Sequence, residues 1–228
     1  MTAPHLRVRG PRDARAVALV LHGGQERSTA PAHALRPAYL RMLPFAHDLR
    51  RTGRADGLAV GTLRYRYRGW NAPDLDPVAD ARWAIDEVRR AYPDAPVVLV
   101  GHSMGGRVAL RVADHPAVTG VCALAPWTPA GDPVDQLAGR TVLIAHGDHD
   151  TMTDPALSYA YAERAKAVTD TVCRFEIRDE GHAMLRRAGE WRLLVRRFTL
   201  GVLGITDLDH VIAGALAKPS PGGLSIPL

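Results

Sequence analysis

At 228 residues the chain is long enough for one well-buried core and short for two, and 46% apolar with 23% charged residues argues against wholesale disorder. The formal charge of +5 invites a nucleic-acid reading. Its cations are nearly all arginine, however, with Lys166 and Lys218 the only lysines, a skew that reflects genomic base composition better than phosphate binding. Cys122 and Cys173, the only cysteines, each sit in an apolar stretch that suits a buried free thiol, and no apolar run approaches the ~18–20 residues of a membrane span.

The opening stretch MTAPHLRVRG lacks the apolar core of a secretory signal, so a cytoplasmic location is expected. Residues 16–21 then form a continuous apolar run, the pattern of a strand covered on both faces in a parallel sheet. A polar, proline-containing loop over 25–36 leads into a helical pattern at 37–51. The strand pattern at 58–63 ends in Arg64-Tyr65-Arg66-Tyr67-Arg68, whose tyrosines could stack bases. No nucleic-acid module surrounds that run, and a solvated positive edge explains it more simply. Helical patterns follow at 77–91, 104–114, 155–168 and 190–200, interleaved with strand patterns at 96–100, 119–124, 141–145 and 172–177. The alternation predicts an α/β domain over residues 1–217, an open, mostly parallel sheet with helices on both faces. The tail at 218–228, KPSPGGLSIPL, has a composition that need not pack. Ligands of such a sheet bind beyond the carboxyl ends of its strands.

At one of those ends stands GHSMGG, with Ser103 between Gly101 and Gly105. A sharp strand-to-helix turn there would strain the middle residue and expose its hydroxyl above the sheet, and the helix N-terminus behind it would favour developing negative charge. A bare glycine-rich turn with an N-cap serine is the plainer alternative for any single match. A serine hydroxyl is a weak nucleophile and needs a base. Of the later histidines, His182 in DEGHA lies in a loop after the last strand pattern, whereas His115 sits at a helix end and His210 in a terminal helix. The imidazole in turn needs an acid, and the loop HGDHD after the 141–145 strand offers Asp148 and Asp150.

With these four segments in the order serine, acid, histidine, the chain resembles the serine hydrolases of the α/β-hydrolase family over roughly residues 8–200: VLHGG resembles the oxyanion strand, GHSMGG the nucleophile elbow, HGDHDTMTDP the acid loop and EGHAM the histidine loop. The resemblance implies the α/β-hydrolase fold, with Ser103 as nucleophile, His182 as base and Asp150, rather than Asp148, as acid. It also implies oxyanion donors at the backbone N–H of Met104 and of Gly24 or Gln25. The cluster His146, Asp148, His149, Asp150 and Asp154 contains metal-ligand types, but the serine-led reading already uses Asp150, so neither a metal nor another cofactor is expected. Between the strands at 119–124 and 141–145 there is no room for the helical cap of many family members. The site should therefore be open, with Trp70, Trp127, Met152 and Met184 as candidate wall residues, although core packing is at least as common for tryptophan. The expected partner is a small acyl substrate, an ester, lactone or thioester, with no nucleic acid and no membrane. Acyl transfer or perhydrolysis at the same site, or a non-catalytic binding protein of this fold, are the alternatives.

Overall fold

The computed structural model describes residues 2–228. Its core is an eight-stranded sheet of order β1-β3-β2-β4-β5-β6-β7-β8: β1 (His5–Arg9), β2 (Ala16–Leu21), β3 (Leu58–Arg64), β4 (Val97–His102), β5 (Val118–Leu124), β6 (Thr141–Gly147), β7 (Val172–Ile177) and β8 (Ile226–Pro227). Only β1 runs antiparallel to its neighbour. All six residues of β2 and of β4 are buried, as their unbroken apolar runs require of strands covered twice.

Helices divide between the faces. Val97 and Leu99 of β4 join a core layer with α3 (Asp76–Ala91), α4 (Met104–Arg111) and α5 (Pro155–Lys166). Val98 and Val100 join the opposite layer, built with α2 (Leu43–Gly53), α6 (Ala188–Val202) and α7 (His210–Leu216). This is the α/β-hydrolase architecture that the sequence predicts. Among the described residues no helix is long and apolar enough to cross a membrane.

The helical pattern at 37–51 divides into α1 (Pro37–Leu40) and α2, because Pro44 lacks an amide donor and can sit only in a helix's first turn. β1 escapes the sequence reading because half of it is cationic: Leu6 and Val8 pack on the core while His5 and Arg9 are exposed. Within the tail at 218–228, residues 218–221 are exposed but 222–228 pack, contrary to the expectation from its composition. Leu224 is fully buried, β8 pairs with β7, and Arg174 holds the Gly223 and Leu224 carbonyls through its backbone N–H and its guanidinium. Between β5 and β6, residues 125–140 hold only the 3-10 turn Asp135–Leu137, so no cap domain stands there.

The strand order reverses at β2 and β4, which pair in parallel with β3 and β5 on their outer sides. Both strands end at this switch point, where a doubly wound sheet leaves a crevice.

Candidate active site

Ser103 follows β4 directly and adopts φ 55°, ψ −120°, a conformation that costs a non-glycine residue of order 1–3 kcal/mol. Its surroundings hold it there. The Ser103 N–H donates to Leu124 O at 2.9 Å, and its carbonyl accepts from Arg107 N–H at 3.1 Å and Trp127 N–H at 3.2 Å. Gly105 is required by close approach: a Cβ there would lie 2.5 Å from the carbonyl oxygens of both Leu21 and His22, so the first turn of α4 rests against the end of β2. The Met104 N–H belongs to that first turn and has no partner inside the helix.

On the β2 side, His22 is buried and its pKa is pushed down to about 4, chiefly by burial, with its hydrogen bond to Gly23 O pulling back. Tyr65 N–H donates to His22 Nε2 at 3.3 Å, so Nδ1 carries the proton and donates to Gly23 O at 2.6 Å. Holding that carbonyl fixes the peptide plane it shares with the Gly24 N–H, which points the opposite way across a trans peptide. The Gln25 N–H is committed to Arg68 O at 2.8 Å. Of the two candidates for a second oxyanion donor, Gly24 therefore keeps its amide available. A side chain at Gly24 would overlap Arg68 O and the Met104 thioether.

The acid loop follows β6. Asp150 is buried, and its Oδ1 accepts from the backbone N–H groups of Met152 (2.8 Å) and Thr153 (3.0 Å). Its Oδ2 accepts from His182 Nδ1 at 2.7 Å and Thr153 Oγ1 at 2.9 Å, and stands 3.2 Å from His146 Nε2. Burial alone would raise the carboxyl pKa; hydrogen bonds from His146, His182 and the Thr153 amide outweigh it and hold the group well below the usual carboxylate range. Asp148 is exposed and instead accepts from Glu180 N–H at 3.3 Å. Asp154 caps α5 through Ala156 N–H, and His149 is exposed, so of the five residues weighed as metal ligands only His146 and Asp150 meet.

His182 reaches the elbow by a contact that the motifs do not announce. His102 Nε2–H donates to His182 O at 2.9 Å, and the two rings lie 4.7 Å apart. Burial, then the neighbouring His182 charge, push the His102 pKa down to about 3, so this imidazole is neutral; its Nδ1 has no partner among the described residues. Behind His182, the buried Glu180 carboxylate accepts from Gly181 N–H (2.9 Å), Arg187 N–H (2.8 Å) and Trp191 Nε1–H (3.3 Å), pinning the loop to α6. Sequence reading missed the supporting roles of His102, Thr153 and Glu180. Their signal was adjacency to the motif residues, since each lies within three positions of one.

The proposed wall residues separate. Trp127 is half-buried and Trp70 only 4% exposed; they flank the Arg107 guanidinium at 4.3 and 4.0 Å, and Arg107 pairs with Asp132 through two hydrogen bonds of 2.6 and 2.7 Å. Met152 is 76% exposed beside Asp150, whereas Met184 is buried in the core layer with Trp191. A small cavity of about 70 Å³ adjoins Gly24, lined also by His22, Ala32, Arg36 and Arg68.

Comparison with known proteins bears on this geometry. The family described as serine aminopeptidase, S33, matches residues 12–141, more than half of the chain. The chain belongs to this family of α/β hydrolases. The match takes in VLHGG and GHSMGG but ends before Asp150 and His182. Mouse monoglyceride lipase is 33% identical over 102 residues, 43% of the chain but only 30% of that lipase, so the chain's match spans less than a third of that relative. An α/β hydrolase-like protein from Agrobacterium tumefaciens superposes with TM-score 0.68 at 18% identity, over 89% of the chain and 92% of that structure. A serine hydrolase from Xanthomonas campestris, described as lacking a lid, gives 0.61 at 22% identity over 85% and 86%. These likenesses show the fold.

Proposed function

We propose that the protein hydrolyses carboxylic esters of small acyl groups through Ser103, His182 and Asp150. The observation that carries this reading is the 2.7 Å hydrogen bond from His182 Nδ1 to a fully sequestered Asp150 oxygen, on a loop tied to the strained serine's own neighbour, His102. With Nδ1–H engaged, His182 has Nε2 as its free base.

Ser103 Oγ attacks the ester carbonyl carbon while its proton passes to His182 Nε2; Asp150 holds the tautomer and stabilises the imidazolium. The Met104 and Gly24 N–H groups receive the oxyanion. The intermediate collapses, the C–O bond to the alcohol breaks, and the alcohol leaves with the proton from His182. Water then gives up a proton to His182 and attacks the acyl carbonyl; the bond to Ser103 Oγ breaks, Oγ takes the proton back from His182, and the acid leaves. Lactones and thioesters present the same carbonyl. The relationship to a monoglyceride lipase supports an ester of a small alcohol such as glycerol as the natural class.

The test is labelling with a fluorophosphonate together with p-nitrophenyl butyrate turnover. Wild type is labelled on Ser103 and turns over, and Ser103→Ala does neither while remaining folded. The family description names an aminopeptidase, so aminoacyl anilides belong in the panel; a preference for them over esters, or near-wild-type activity of Ser103→Ala, overturns the proposal.

A further inference from the structure

β1 is an edge strand whose side chains divide by parity: Leu6 and Val8 face the core, and His5, Arg7 and Arg9 face the other way. On that second face α2 packs over β3, leaving a groove of about 440 Å³ between α2 and β1. Arg7, Arg9, Arg50 and Arg64 line it with His5 and His47, and no carboxylate does.

Leu43 and His47 also line a second groove, of about 780 Å³, between α2 and α6, with Arg51, Arg192 and Arg196 on its walls. Asp48, its one carboxylate, is shared between Arg51 at 3.5 Å and Arg196 at 3.3 Å. Arg7, Arg9, Arg50 and Arg192 thus have no carboxylate partner among the described residues. At the junction of the grooves Leu40 and Leu43 are 42% and 37% exposed beside Pro44. An apolar ridge with arginine-lined grooves on both sides is therefore presented to the exterior.

Three kinds of anion could meet these arginines, and the surface discriminates among them. A single small anion gains little from exposed cations one pair at a time. A single-stranded nucleic acid requires stacking platforms, and Tyr39, the one tyrosine, tryptophan or phenylalanine lining the grooves, meets His22 edge-on and donates its hydroxyl to Thr62. A bilayer surface offers many phosphates at once and an apolar boundary for leucines. We propose that this face docks on an anionic lipid surface, with Leu40 and Leu43 entering the headgroup boundary and the flanking arginines meeting lipid phosphates. The sequence expectation of no membrane partner rests on the lack of a spanning segment, and surface attachment needs none.

The experiment is cosedimentation of the full chain with phosphatidylcholine vesicles with and without phosphatidylglycerol, at low and high salt, with circular dichroism to verify folding. Wild type is expected to sediment with the anionic vesicles at low salt, to be released at high salt, and to ignore the neutral ones. R7S/R9S/R50S should lower the partition coefficient on the order of 100-fold, about fivefold per arginine. L40S/L43S should weaken binding while leaving its salt dependence. Absence of anionic-vesicle binding by folded wild type, or equal binding by the arginine triple, overturns the proposal. So does arginine-dependent binding of heparin or inorganic phosphate without vesicle binding, which would assign the groove to a soluble anion. The readout does not involve Ser103, so it stands or falls apart from the esterase reading.

Discussion

His146 Nε2 stands 3.2 Å from Asp150 Oδ2, the same oxygen that His182 Nδ1 meets at 2.7 Å. Nε2 also faces Thr153 O at 3.1 Å, and two acceptors mean that it carries a proton. Two imidazoles thus meet one carboxylate oxygen, and the inner one is fully buried. His146 is a positioning residue in this arrangement. His146→Ala should lower kcat by roughly tenfold with KM little changed, the scale of losing one support of a general-base system. Because a hydrogen bond to the carboxylate is also lost, the acid limb of the kcat profile should move to higher pH. An unchanged profile would mean that His146 serves only packing.

The two aspartates of the acid loop should behave oppositely. Asp150→Asn replaces the acceptor that holds His182 and should reduce kcat by about 10⁴, whereas the exposed Asp148→Asn should stay within a few-fold of wild type. Steady-state kinetics on p-nitrophenyl butyrate decide it, and a reversed order would move the acid to Asp148.

Stability should fall on mild acidification. His22 and His102 are held neutral in the fold, with pKa values of about 4 and about 3 against 6.5 for the free group, burial being the first cause of each. Between pH 6.5 and about 4 the unfolded chain binds protons that the folded chain refuses, so stability is complete above pH 6.5 and is lost as pH falls toward the folded values. For His22 the ceiling is about 3 kcal/mol. Urea midpoints measured from pH 7.5 to 4 should decline for wild type and decline less for His102→Asn. Equal slopes would place the acid sensitivity elsewhere.

An uncapped site gains little from distant methylenes, each worth about 0.8 kcal/mol only when fully buried. The specificity constant for p-nitrophenyl esters should therefore peak between acetate and butyrate. Trp127→Ala removes one of the two rings that Arg107 contacts, and the optimum should shift to longer or bulkier acyl groups. A steady rise to dodecanoate in wild type would show an enclosed apolar tunnel.

The sequence by itself determined the six inner strands, β2 to β7, and the order of the candidate site residues. Runs such as 16–21 and 97–100 are apolar without interruption, and only a doubly covered parallel strand accommodates that; Gly105 is legible because a helix beginning against a strand end leaves no space for a Cβ. What only the tertiary structure decided are relations across the chain. The family resemblance already favours Asp150 over Asp148 as the acid; the contact itself, 2.7 Å to an imidazole 32 positions away, is what the fold adds. Gln25 drops out as an oxyanion donor because Arg68, on another loop, takes its amide. The terminal residues pack because β7 leaves an edge and Arg174 leaves donors for them, and the arginines of β1 and α2 form one face because two elements remote in sequence lie side by side. Periodicity reports which side of a segment is buried, whereas hydrogen bonds and charge clusters depend on what that side meets.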